Sequence, residues 1–243
     1  MASERGRPLV LAHRGASRRA PENTVEAFQI ARDLGADGVE LDVRRTRDGV
    51  LVLSHDPVIA GYGLIVEHPF DHLRATLPQV PTLEQAFDAL AGMTVNVEIK
   101  CFPFEPDADP ERIVVRGVVE MVERRDLYEQ VIVSSFELDA VDTVHSLDTR
   151  IVTAWLTSGM ATARSIPIAA ARGHAWVNPD RSTMTASSPD GLTADAAVRD
   201  AAAHGVRLAV WTVDDPGDIT ALAAAGVDAI ITNVPDIVLA ALA

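Results

Sequence analysis

Three stretches of this sequence bring together side chains able to hold a cation and a phosphate. Leu9-Val10-Leu11-Ala12 runs into His13-Arg14-Gly15, and Val39-Glu40-Leu41-Asp42-Val43 sets two acids among aliphatics. Val50-Leu51-Val52-Leu53 leads into Ser54-His55-Asp56. Glu40 and Asp42 are two apart, so on a strand both carboxylates point to one face, with Val39, Leu41 and Val43 on the other. A carboxylate buried without a partner is costly, so acids alternating with Val and Leu make a poor structural core. Thr94 to Lys100 repeats the pattern, with Asn96, Glu98 and Lys100 on one face and Val95, Val97 and Ile99 on the other.

Glu40, Asp42 and Glu98 offer three carboxylates and no thiolate. Hard oxygen ligands of this kind suit one divalent cation, Mg²⁺ or Ca²⁺ with Mn²⁺ a further candidate, and not a tetrahedral zinc site. Taken singly, each residue has a plainer reading. Glu98 and Lys100 could be an ion pair, His55-Asp56 a turn, and Trp211 simple core. Asp56 either orients the His55 imidazole or caps a turn, and the first reading is preferred. The coincidence of the whole set is what a purely structural account struggles to explain.

The elements that must position these residues alternate regularly. Strands are expected at residues 9–12, 37–43, 94–100, 131–135, 151–155, 175–178, 206–213 and 228–232, with a further short run at 50–53. Helices are expected between them. One is opened by Pro21-Glu22-Asn23-Thr24, and another by Thr82, an N-cap three residues before Gln85. Gly35, Gly205 and Gly226 each end a helix just before a strand. Residues 57–80 read as an irregular excursion and 179–192 as a loop. Eight strand–helix units in this length favour a (β/α)8 TIM barrel over an open doubly wound sheet. No Gly-x-Gly-x-x-Gly follows the first strand, which lowers the dinucleotide-binding alternative. In such a barrel, strand C-terminal ends line the active site, and His13, Arg14, Glu40, Asp42, His55, Asp56, Glu98, Lys100, Ser135, Asn178 and Trp211 fall at or near them.

The chain has 243 residues, 48% of them hydrophobic, so one barrel domain over residues 1–243 can bury a substantial core. The formal charge of −14 argues against nucleic acid or an anionic membrane as partner, while leaving room for a small anionic substrate. No apolar run reaches the ~18 residues of a membrane span. The N-terminal residues lack the layout of a secretory signal, and a single cysteine, Cys101, fits a reducing cytoplasm. A homodimer is compatible with the sequence without being required by it.

His13-Arg14-Gly15-Ala16, Pro21-Glu22-Asn23-Thr24, Glu40-x-Asp42, His55-Asp56, Glu98-Ile99-Lys100 and Trp211-Thr212-Val213 together resemble the glycerophosphodiester phosphodiesterase family. The similarity continues to Gly226-Val227-Asp228-Ala229-Ile230-Ile231-Thr232-Asn233-Val234-Pro235. The resemblance implies a phospholipase C-like barrel hydrolase of lipid and glycerol metabolism. It would use one divalent cation and split glycerophosphodiesters into an alcohol and glycerol 3-phosphate. By the same resemblance, Glu40, Asp42 and Glu98 hold the metal, and His13 and His55 carry acid–base duty. Arg14 and Lys100 contact phosphate, Trp211 lies beside the glycerol, and Glu22 and Asn23 brace the loop after the first strand. Pro57 to Gly63 departs from the family's usual longer excursion. Arg18-Arg19 stands where small residues are common and reads first as a solvated loop, second as an anion contact. Two alternatives stand beside this reading. One is a lipid-directed barrel phosphodiesterase similar to sphingomyelinase D or phospholipase C, and the other an inactive binding protein on the same fold.

Overall fold

The computed structural model describes residues 6–184 and 193–243; residues 1–5, and the part of the expected 179–192 loop from 185 onward, lie outside them. The chain runs β1 (Leu9–His13), α1 (Val25–Asp33), β2 (Gly38–Arg45), β3 (Leu51–Leu53), β4 (Val58–Ile59), β5 (Gly63–Leu64), α2 (Phe70–Thr76), α3 (Leu83–Ala89) and β6 (Thr94–Ile99). It continues through α4 (Ile113–Arg125), β7 (Val131–Ser135), α5 (Leu138–Leu147), β8 (Val152–Thr157), α6 (Thr162–Ala171) and β9 (Trp176–Pro179). The last elements are α7 (Ala194–His204), β10 (Arg207–Val210), α8 (Pro216–Ala225), β11 (Ala229–Thr232) and α9 (Pro235–Ala241).

The eight expected strands are present as β1, β2, β6, β7, β8, β9, β10 and β11, all parallel to their barrel neighbours, and β1 pairs with both β2 and β11 to close the cylinder. The fold is therefore a (β/α)8 TIM barrel. Side chains alternate along each strand, which separates two cores. Leu11, Ile132, Ala154, Trp176, Ala209, Ala229 and Ile231 fill the barrel interior. Val39, Leu41, Val43, Val95, Val97 and Ile99 pack outward against the helices with Phe28, Phe87 and Val115.

The helices begin and end where their residues dictate. Thr24 caps α1 by accepting from Ala27 N–H, and Thr82 and Gln85 form a reciprocal capping box at α3. Gly205 and Gly226 close α7 and α8 in the left-handed conformation, at φ 70° and 85°, that a residue without a Cβ adopts freely.

Residues 57–80 differ from the irregular excursion expected of them. They hold the β4–β5 hairpin, a 3₁₀ turn over Ile65–Glu67 and α2. Two-residue strands and single turns are too short to leave a period in the sequence. What covers them is a small cluster of Val52, Ile65 and Leu73, with Tyr62 and Phe70 packed against it.

Candidate active site

Register decides which side chains meet at the C-terminal mouth of the barrel. His13 stands opposite Glu40 across β1 and β2, and Asp42 stands opposite Glu98 across β2 and β6. The antiparallel turn into β3 returns the chain to the same mouth, with Ser54 N–H donating to Asp42 O at 3.1 Å, so His55 arrives from above.

The loop after β1 is held in an unusual backbone shape. Arg14 and Asn23 both have left-handed φ, 57° and 56°, which costs a side-chain-bearing residue energy unless its surroundings fix it. The fixing bonds are Arg14 N–H to Glu40 O at 2.8 Å and Asn23 N–H to Arg14 O at 3.0 Å. Gly15 between them, at φ 82°, lies so close to Ala27 that a Cβ would stand 2.7 Å from the alanine Cβ. Asn23 then grips Asp42 twice, donating from Nδ2 to Oδ2 at 2.8 Å and accepting from its N–H at 3.1 Å. Glu22 accepts two bonds from Arg14 Nη1, at 2.9 and 3.0 Å. Both residues expected to brace this loop do contact the site.

Glu40, Asp42 and Glu98 are buried, and a ligand oxygen from each lies within 4.8 Å of the others. Burial, then the neighbouring Asp42 charge, pushes Glu40 up to about 8; burial does the same to Glu98, also to about 8. At Asp42 burial acts upward too, but Lys100, Arg14 and Asn23 outweigh it and hold that carboxyl below its ordinary value. Lys100 Nζ is 3.0 Å from Asp42 Oδ1 and also pairs with Glu98. Arg14 Nε is 3.1 Å from Asp42 Oδ2. Among the described residues, Glu40 Oε1 receives no hydrogen bond, and the only cation at Asp42 Oδ1 and Glu98 Oε1 is the shared Lys100 Nζ. Buried polar atoms are normally satisfied. Three buried carboxylates that bring ligand oxygens within 4.8 Å of one another, with Lys100 as the shared cation of Asp42 and Glu98 and no donor on Glu40 Oε1, fit a hard divalent cation.

The histidines are oriented from behind. His13 Nδ1 meets Asn233 Oδ1 at 2.7 Å. Asn233 Nδ2 must face the acceptor-only Asp214 carboxylate, 2.7 Å away, and Ser17 donates to the same Oδ1 at 3.0 Å. His13 therefore carries its proton on Nδ1 and turns Nε2 to the cavity, 3.8 Å from Glu40 Oε2. Burial, helped by the Arg14 charge, lowers its pKa and favours the neutral ring. His55 Nδ1 meets Asp56 Oδ1 at 2.7 Å, the orienting contact expected of that pair; burial and then Lys100 lower its pKa as well.

The cavity between these groups has a volume of about 160 Å³ and two unlike walls. His13, Arg14, Glu40, His55, Glu98 and Lys100 make the polar one, and Phe136, Leu156, Trp211 and Ile231 the apolar one. Trp211 is held by Nε1 donating to Asn178 O at 2.8 Å and by the edge-on Phe136 ring at 5.4 Å. Of the site residues expected from the sequence, His13, Arg14, Glu40, His55, Glu98, Lys100 and Trp211 line this cavity, Glu22, Asn23, Asp42, Asp56 and Asn178 bond to those or to one another, and Ser135 is turned away to donate to Ile99 O. Arg18 is exposed at the rim, 3.9 Å from Asp214, and Arg19 pairs with Asp236. Asn233, Asp214 and Phe136 belong to the site without having been singled out; the quoted stretch ending in Asn233-Val234-Pro235 was the one available signal for the first.

A parallel barrel whose mouth gathers three carboxylates, two imidazoles and two fixed cations beside an apolar wall defines a class, the phosphodiester-cleaving (β/α)8 barrels. Within it, residues 13–237 match the profile of the Glycerophosphoryl diester phosphodiesterase family. The chain belongs to that family and is an enzyme of its kind. It is 29% identical to a glycerophosphodiester phosphodiesterase of Caldanaerobacter subterraneus subsp. tengcongensis, over 94% of this chain and 95% of the relative. Among solved structures, a glycerophosphodiester phosphodiesterase from Parabacteroides distasonis superposes with a TM-score of 0.81 at 28% identity, covering 97% of this chain and 96% of the other. A phosphodiesterase of Oleispira antarctica, solved in complex with the product sn-glycerol-3-phosphate, shares the fold with a TM-score of 0.81 at 24% identity and 97% coverage of both chains. Among the described residues, no helix is long and apolar enough to cross a membrane.

Proposed function

We propose that residues 1–243 act as one barrel domain that hydrolyses small glycerophosphodiesters to an alcohol and glycerol 3-phosphate in the cytoplasm. The single observation that carries this is the convergence of three buried carboxylates beside two oriented imidazoles at one small cavity. Glu40, Asp42 and Glu98 would hold a divalent cation, Mg²⁺ or Ca²⁺, which when bound offsets phosphate charge. The product held by the Oleispira relative supports glycerol 3-phosphate as the product here.

Arg14 and Lys100 supply the fixed positive charge for the phosphate, the first as a planar fork and the second as a point charge. The glycerol lies on the apolar wall against Trp211. β1 neighbours β11, which neighbours β10 just before Trp211, so His13 is the histidine on the glycerol side. Its free Nε2 takes the proton of the glycerol 2-hydroxyl as that oxygen attacks phosphorus, an intramolecular step favoured by proximity. His55 stands on the other side and gives a proton to the leaving alcohol oxygen; the Asp56 carboxylate at its Nδ1 supports the charged ring. Water then opens the resulting cyclic phosphate with the two histidines exchanging roles. The test is a substrate lacking the 2-hydroxyl, expected to bind and be hardly cleaved. Brisk hydrolysis of it would show direct attack by water.

A further inference from the structure

The acidic loop between Phe102 and Pro110 has no part in the chemistry above, yet two of its acids reach into the protein. Arg44 is the third residue, after Glu40 and Asp42, on the inward face of β2, and its side chain is only 1% exposed. Its Nη1 donates to Glu105 Oε2 at 2.9 Å and to Asp107 Oδ2 at 2.6 Å. The other edge of the same guanidinium, Nε and Nη2, donates to the backbone carbonyl of His55 at 2.9 and 2.7 Å. One buried cation thus ties the 102–110 loop to the main chain of His55.

His55 has need of such an anchor. Asp56 orients its ring, but the Asp56 side chain is itself 73% exposed and is the next residue along the same turn. It fixes the ring relative to that turn and leaves the turn free to shift relative to the barrel. Arg44 rises from the strand that carries Glu40 and Asp42, so its fork sets the distance between the His55 backbone and the carboxylates. Glu105 and Asp107 supply the opposite charge that makes a buried guanidinium tolerable there.

We propose that Arg44 is a positioning residue for His55, and that the acidic loop serves to hold Arg44 in place. This rests on the assignment of His55 as proton donor to the leaving alcohol. Lysine at 44 keeps the charge but cannot bind the carbonyl with two donors while reaching both acids.

The experiment compares two soluble substrates in saturating Mg²⁺: glycerophosphocholine, whose alcohol needs a proton to leave, and glycerol 3-phospho-p-nitrophenol, whose phenolate does not. Arg44→Lys is expected to lose ~10²-fold in kcat on the choline ester, the scale of a misplaced catalytic group, and only a few-fold on the aryl ester. In a His55→Ala background the same change should cost no more than a few-fold on either. Should Arg44→Lys fold poorly, Asp107→Asn keeps the guanidinium, weakens its anchor and should show the same selective loss at about 10-fold. Equal losses on both substrates, or an undiminished loss on top of His55→Ala, would overturn the proposal and leave Arg44 a structural residue. A His55→Ala enzyme as fast as wild type on the choline ester would instead contradict the role given to His55, separately from the coupling that the double variant reads.

Discussion

Glu40 and Glu98 hold their protons to about pH 8 in the metal-free protein, and a cation must displace those protons to bind. Both carboxyls titrate above their ordinary value, so between about 4.5 and 8 the folded chain carries protons that the unfolded chain has lost. Their contribution to metal-free stability is therefore present at low pH and lost as pH rises through 8. A bound divalent cation offsets that loss. The rise in melting temperature on adding Mg²⁺ or Ca²⁺ should accordingly be larger at pH 8.5 than at pH 6, and a thermal melt series showing equal shifts would count against the metal site. Glu40→Gln and Glu98→Gln should each weaken metal affinity by at least ~10²-fold and silence turnover at ordinary metal levels, read by titration calorimetry and product assay. At this scale much of the site was legible in the sequence, because Glu40–Asp42 and Glu98–Lys100 keep a period of two among aliphatics. Arg44 was not, and Asn233 stood in a family-like stretch without its contact to His13 being legible. His13 and Asn233 are 220 positions apart, and Arg44 meets acids 61 and 63 positions away. No local pattern encodes meetings created by closure of β1 on β11 or by the fold-back of the loop after β6.

Strand register turns these residues into a site. Gly38 faces Thr94 where β2 meets β6, and a Cβ there would stand 2.3 Å from the Thr94 carbonyl oxygen. Gly38→Ala should force the strands apart at the opposite end of the β2–β6 pairing, four register positions before Asp42–Glu98. We expect a stability loss of about 1–3 kcal/mol by denaturant melt, with weakened metal binding alongside it. Unchanged stability would mean that the two strands have slack. The loop between β11 and α9 acts on His13. Asn233→Ala removes the acceptor that fixes its ring and should cost about 10-fold in kcat with KM nearly unchanged, checked by steady-state kinetics. Strand order was readable from alternation and helix-ending glycines. The β4–β5 hairpin was not, since two residues per strand carry no alternation.

The whole molecule bears a formal charge of −14 around a mouth that must admit a phosphodiester. On the proposed reading Arg14 and Lys100 would attract the substrate at short range, while the remaining acidic surface repels an anion at long range and is screened by salt within ~10 Å at 0.1 M. Anionic glycerophosphoglycerol should therefore gain a few-fold in kcat/KM relative to zwitterionic glycerophosphocholine as ionic strength rises from 10 to 150 mM, both values being roughly the bounds of strong and weak screening. A constant ratio would show that the local cations govern capture. The central claim, a metal-assisted barrel hydrolase of soluble glycerophosphodiesters, is tested most directly by one assay. The wild-type protein is given glycerophosphocholine, glycerophosphoethanolamine and glycerophosphoglycerol in turn with Mg²⁺, Ca²⁺ or Mn²⁺, and again with excess EDTA, and released glycerol 3-phosphate is measured. Release with at least one metal and none under chelation is the predicted result; full activity in EDTA, or silence across every substrate and metal, would contradict it.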